Sequence, residues 1–385
     1  MSVSGAGHTQ TIGVNIQPSK KRKFCYLKII MTPSKFYIPS LDGMRTIAFV
    51  IVFLSHAGAT KIVPGGFGVT VFFFISGYLI TTLLRREYEK NQFINLKHFY
   101  LRRIVRIWPG FYLVLFLAAI LTLIGVLEGE MQLPGFLSQV LHYYNYYEAF
   151  AGGYGIPPGT SVYWSLAVEE HFYCLFPFLY ISLLKRGVSP QRQRLIIWGI
   201  CLAILIWRCV LVFGMGANEY RIYHLSDTRI DSILFGCALA VKGNPALDPP
   251  YGSDRLWKFF VLPGGITLLL FTFICRYPEF ENTLRFTIQG IALHGLFIAA
   301  IRFPDWGVFQ ILNWSWMRFI GLLSYSLYLV HDTVIHAVDL YLPQISVVLQ
   351  GVISMLICFI LAYAMYRYIE LPCGKLRKQL SSSSS

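Results

Sequence analysis

The stretch PSLDGMRTIAFVIVFLSHAGA, residues 39–59, is long and apolar enough to cross a bilayer, yet it carries Arg45 and His56. An α-helix rises ~1.5 Å per residue at 3.6 residues per turn, so the two are separated by about three turns and ~16 Å. They therefore share one face at different depths. In a hydrocarbon core ~30 Å thick, Arg45 falls near one surface and His56 near the middle. Ionisable groups at such depths are costly, and they mark substrate paths and reaction centres. The segment points to a membrane enzyme more than to a simple anchor.

The rest of the chain agrees. Of its 385 residues 55% are hydrophobic and 14% charged, with a mean hydropathy of +0.55. A soluble domain carries about 25% charged residues. The net charge of +14 does not imply a nucleic-acid partner, because the basic residues lie in short clusters between apolar runs. That placement suits topology signals and contacts with anionic lipid. The eight cysteines are scattered without a C-x-x-C or zinc-type spacing, so no metal site is expected and most act as small apolar side chains.

Apolar runs predict an all-α polytopic membrane protein of about ten transmembrane helices, near 39–59, 67–84, 109–127, 163–184, 195–214, 228–241, 257–274, 286–301, 318–334 and 345–367. Both termini are expected to be cytoplasmic. In that orientation Arg85, Arg86, Lys90, Lys97, Arg102, Arg103 and Arg106 cluster inside, while the long outside loop 128–162 has no Lys or Arg. The expected parts are a basic cytoplasmic N-terminal extension (1–35), a membrane domain (36–370) and a cytoplasmic tail (371–385). No cleavable signal peptide is expected, and Met31 is an alternative start. No internal repeat is visible.

Several motifs carry chemistry. In LKHFYLRRIVRIW (96–108), Arg102, Arg103 and Arg106 share one face of an expected interfacial helix that ends at Pro109. They read either as topology anchors or as a site for a phosphorylated cytoplasmic donor, since the guanidinium fork suits phosphate. Arg45 lies at the same end. In GGFGVTVFFFISGY (65–78), Ser76 and Gly77 read as small residues for close helix packing. In SVYWSLAVEEHFY (161–173), Glu169 lies ~8 Å past Trp164, toward the depth of His56. It either orients the His56 ring or joins a buried ion pair. Glu170 and His171 point to other faces. Arg229 in DTRID (227–231) is expected to pair with Asp227 or Asp231, or else to line a polar acceptor site. His331 and Asp332 end the ninth span, His331 as a structural histidine.

Taken in order, LDGMR with His56, GGFGVTVFFFISGYLI, LRRIVRIWP, VYWSLAVEEHFY, TRIDSILFGCALA and GLLSYSLYLVH resemble the acyltransferase-3 family of membrane-bound O-acyltransferases, over about residues 36–370. The resemblance implies a ten-helix domain that passes an acyl group, often acetyl, from cytoplasmic acyl-coenzyme A to a hydroxyl of a carbohydrate or glycolipid acceptor such as surface polysaccharide. Acyl-coenzyme A is then a donor substrate, with no permanently bound cofactor. The resemblance carries Arg45, His56, Arg103, Arg106 and Glu169 over as site residues. His56 is then the general base with Glu169 beside it, and Arg45, Arg103 and Arg106 hold the coenzyme A phosphates. Two positions depart from the family pattern: Thr70 stands where many members have an acidic residue, and His171 where many have Gln. The competing class is a multi-span transporter or flippase of a glycan or lipid. Against it stands the absence of repeated halves.

Overall fold

The computed structural model describes residues 36–382, which are helical and turn-connected with no strand among them. The helices that build the site are α1 (Pro39–Leu54), α2 (Gly65–Asn91), α3 (Leu96–Leu123), α4 (Leu133–Val140), α5 (Tyr144–Ala151), α6 (Trp164–Lys185), α7 (Pro190–Cys209), α8 (Glu219–His224), α9 (Ser226–Val241), α10 (Leu262–Ile274), α11 (Leu284–Arg302), α12 (Ser315–Tyr341) and α13 (Val347–Met365). The expected N-terminal extension with Met31 lies outside the described residues. Leu371–Ser382 forms a helix that packs on α3.

Among the described residues, seven helical segments have the length and apolarity to cross a membrane: Pro39–Ala59, Gly65–Asn91, Leu96–Leu123, Pro190–Gly214, Asp254–Ile274, Leu284–Arg302 and Val347–Leu376. The chain is thus a multi-pass integral membrane protein. The remaining three expected spans are helices of another character. α9 has only 16 residues, nearly all buried. α6 carries Glu169, Glu170 and His171 in succession, and α12 carries Arg318, His331, Asp332 and His336. Their polar side chains face protein, the placement that makes such groups tolerable at membrane depth. Outer segments show the opposite pattern: only 22% of the most apolar Val347–Leu376 window is buried, against 72% for Gly65–Asn91.

The most extensive helix pairing in the core joins α2 to α9. Gly77 packs on the backbone carbonyl of Ile233, and Gly236 on that of Phe74. Neither site has room for a Cβ, so the two backbones touch at reciprocal glycines. This is the close approach that small residues permit between helices in lipid. Around it α1 packs on α2 and α12, α12 on α13, α7 on α9, and α10 on α11.

Two expected boundaries move. α1 runs into a π-helical turn, Ser55–Ala59, that closes at Gly58 with φ +96°, a conformation glycine adopts without strain. At ~1.5 Å per residue from Pro39, His56 stands ~26 Å along a helix ~31 Å long, in its last turn and not its middle. α3 is one 28-residue helix with Pro109 inside it; it does not break into an interfacial segment and a span. Proline removes one helical hydrogen bond, and membrane helices tolerate it where neighbours satisfy the freed groups. Two residues before the proline, the Tyr325 hydroxyl donates to the Ile107 carbonyl at 2.6 Å and ties α12 to α3.

Candidate active site

Two cavities lie side by side within the helices. The first, with about 860 Å³ of empty space, is lined by Arg45, Ser76, Arg103, Arg106, Glu169 and Glu170, among apolar and tyrosine side chains. α1, α2, α3, α6 and α12 each contribute to it. The second, about 1340 Å³, is lined by His56, Glu148, Trp164, Tyr223, His224 and Gln289, among others. Val69 and Tyr328 line both, so the two cavities adjoin at these side chains. The Tyr328 hydroxyl is tethered there, 2.6 Å from Ser165 Oγ and 3.0 Å from the Val162 carbonyl.

In the first cavity the three arginines differ in what already engages them. Arg45 donates to Asp42 at 2.9 Å, one turn back on α1. Arg103 is buried with its guanidinium 5.9 Å from the Phe99 ring centre. Arg106 is half-buried, and among the described residues it makes no ion pair or hydrogen bond through its side chain. Arg102, the third member of the predicted basic face, is bound instead to Glu87 at 2.7 Å and does not line the cavity.

Glu169 lies in this cavity, and the expectation that it orients His56 is not met. Its carboxylate accepts from Ser76 Oγ at 2.6 Å and from the Tyr173 hydroxyl at 3.0 Å. The register of α6 turns it toward the arginines. Ser76 is therefore a hydrogen-bond donor more than a packing residue, whereas its neighbour Gly77 does pack. Glu170 shares the cavity, contrary to its expected face, while His171 turns away to Ser226 Oγ at 2.7 Å.

The partners of His56 come from α12. His56 Nδ1 is 2.9 Å from His331 Nε2 and 3.8 Å from Asp332 Oδ1. The two rings are near-parallel (6°) with centres 5.1 Å apart. With the facing nitrogens so much closer than the centres, the rings lie edge to edge in one N–H···N bond. His331 is fully buried and lines neither cavity, whereas the His56 side chain is 36% exposed. Sequence reasoning reached His331 only as a structural histidine, since α12 meets α1 through tertiary packing alone.

These three residues also form a His, His, Asp group compact enough to be tested as a metal site. Zinc sits ~2.0–2.1 Å from each imidazole nitrogen. Two nitrogens aimed at each other edge to edge across 2.9 Å leave no space for an ion between them. The arrangement fits a shared proton better than a cation.

Away from the spans, Glu148 and His224 are among the shifted groups of the second cavity. Burial pushes the Glu148 carboxyl up to about 7, although the Tyr144 hydroxyl bonds it. Burial and the charge of Arg229 push His224 down to about 3. Arg229 does not pair with Asp227 or Asp231. Asp227 binds Arg221 at 2.5 Å and Asp231 binds Arg208 at 2.7 Å. Arg229 instead donates to Thr70 Oγ1 at 3.2 Å and lies 3.7 Å from the Phe286 ring centre.

Comparison with known proteins places these features in a context. The family model described as "Acyltransferase domain", of the acyltransferase-3 type, matches residues 38–367. The chain is 30% identical over 361 residues to the peptidoglycan O-acetyltransferase OatA of Listeria monocytogenes, covering 89% of this chain and 56% of that protein. It is 32% identical over 356 residues to the O-acetyltransferase OatA of Staphylococcus aureus, covering 88% and 57%. The chain thus spans little more than half the length of these relatives. No solved structure matches it.

Proposed function

The chain belongs to the acyltransferase-3 family, and from that premise we propose that it transfers an acetyl group from cytoplasmic acetyl-coenzyme A to a hydroxyl of a carbohydrate acceptor at the opposite membrane face. In this reading α6, α9 and α12 also cross the bilayer. The chain then makes ten passes with both termini cytoplasmic, in a bacterial cell membrane. The observation that carries the proposal is the pair of cavities, one lined by arginines and one by His56, that meet at Val69 and Tyr328.

Arg45, Arg103 and Arg106 bind coenzyme A phosphates, for which charge-assisted Arg–phosphate bonds are strong. The thioester reaches the junction at Val69 and Tyr328. His56 takes the proton of the acceptor hydroxyl as general base. Glu169 belongs to the donor side, where it holds charge and position among the arginines. Trp164 and Tyr223 offer aromatic faces, and Glu148 and Gln289 offer polar groups, for a sugar in the second cavity. The Listeria relative is named for peptidoglycan, which supports a cell-wall glycan as acceptor over lipopolysaccharide. A carrier of glycan or lipid would also use two adjoining cavities, but it would consume no thioester.

Mass spectrometry of surface glycans from cells with and without this chain tests the acceptor. The expected result is an acetyl mass shift found only with the chain. Identical glycans, with the protein present in the membrane, would contradict it.

A further inference from the structure

We infer that His331 is a positioning residue for His56: by accepting a hydrogen bond from Nδ1, it fixes the tautomer in which Nε2 of His56 is bare toward the acceptor cavity. The inference rests on the reading of His56 as the base, and it begins one bond further back. His331 Nδ1 is 2.7 Å from the Tyr328 carbonyl. A carbonyl only accepts, so His331 Nδ1 carries the hydrogen. The ring is fully buried, flanked by Phe49 and Tyr328, and a second proton would place a charge where burial is costly. His331 Nε2 is then a lone pair. The atom facing it at 2.9 Å is His56 Nδ1, and two lone pairs do not face each other at hydrogen-bond distance. His56 Nδ1 must donate.

The tautomer of one imidazole nitrogen is set by the bond the other makes. With its hydrogen on Nδ1, neutral His56 keeps its lone pair on Nε2, which makes no hydrogen bond among the described residues. The chain of bonds therefore runs from the Tyr328 carbonyl through His331 to His56. Tyr328 itself lines both cavities, so the residue at the donor–acceptor junction also sets the orientation of the base. During transfer, the acceptor oxygen bonds to the acyl carbon, its proton passes to Nε2, and the C–S bond of the thioester breaks. The same proton then goes to the departing sulfur of coenzyme A. Asp332, 3.8 Å from Nδ1, faces the imidazolium while it lasts.

The test combines spectroscopy and kinetics on the full chain in lipid nanodiscs. Histidines are labelled with nitrogen-15, and the His56 signals are assigned by their loss in His56→Ala. Wild type is expected to show His56 protonated on Nδ1. His331→Phe, which keeps a ring but has no acceptor, is expected to move that proton to Nε2. It should also lower kcat by roughly 10²-fold, with KM for acetyl-coenzyme A unchanged. His331→Gln, whose amide oxygen can accept from His56, should retain most of the turnover. Nε2 protonation in the wild type would overturn the inference, and this needs no variant to fold. So would equal losses in the Phe and Gln variants with the tautomer unaltered. Full activity in His56→Ala would instead remove the general-base reading while leaving the tautomer assignment standing.

Discussion

At the scale of single residues, the site depends on which charges are already engaged. The R-x-x-R spacing of Arg103 and Arg106 was legible in the sequence, and both line the arginine cavity. That Arg102 is held by Glu87 was not legible, because the partner sits on the preceding helix. Among the described residues no carboxylate pairs with Arg106, which makes it the arginine most available to a phosphate. Hydrogen bonds to charged groups contribute about 1.5–3 kcal/mol, so Arg106→Ala should raise KM for acetyl-coenzyme A by about tenfold or more, with a smaller change in kcat. Steady-state kinetics in nanodiscs checks this, and an unchanged KM would reduce Arg106 to a topology anchor. His56 stood out in the sequence because a histidine in an apolar span is expensive. Its partner did not, since 275 positions separate His56 from His331 and no local pattern joins them.

At the scale of helices, periodicity and apolarity located nearly every element but not how closely each pair meets. Gly77 was read as a packing residue, and its position against the Ile233 backbone bears that out. Its reciprocal, Gly236, lies in another motif and was visible only in the structure. Overpacking a closed contact costs typically 1–3 kcal/mol, so Gly77→Ala should lower the melting temperature in detergent. Gly264→Ala on α10, where a Cβ meets nothing, should hold or raise it, because Gly in a helix is less stable than Ala by roughly 0.5–1 kcal/mol. Equal melting temperatures for the two variants would contradict the clamp. α5 adds a dependence on pH. The folded carboxyl of Glu148 titrates near 7, above its ordinary value of 4.5, so the folded state holds this proton more tightly than the unfolded one. Stability from this group is therefore full below pH ~4.5, is lost as pH rises toward 7, and is level above that. Thermal melts from pH 5 to pH 8 should show a decline that is smaller in Glu148→Gln. The same decline in both would assign it to other groups.

At the scale of the whole molecule, composition alone pointed to a helical membrane protein, and the ordered motifs pointed to its family. What one dimension could not hold is the division of the polar residues between two cavities. Counting depth along separate helices placed Glu169 beside His56. The register of α6 and the late position of His56 on α1 put them in different compartments, with Val69 and Tyr328 between. The central claim is that a thioester bound among the arginines is consumed at His56. The most direct test is release of free coenzyme A from acetyl-coenzyme A by proteoliposomes supplied with a glycan acceptor, comparing wild type with a His56→Ala variant of equal melting temperature. The account predicts acceptor-dependent release by the wild type and a loss of roughly 10²–10⁴-fold in the variant. Equal release from both would contradict it.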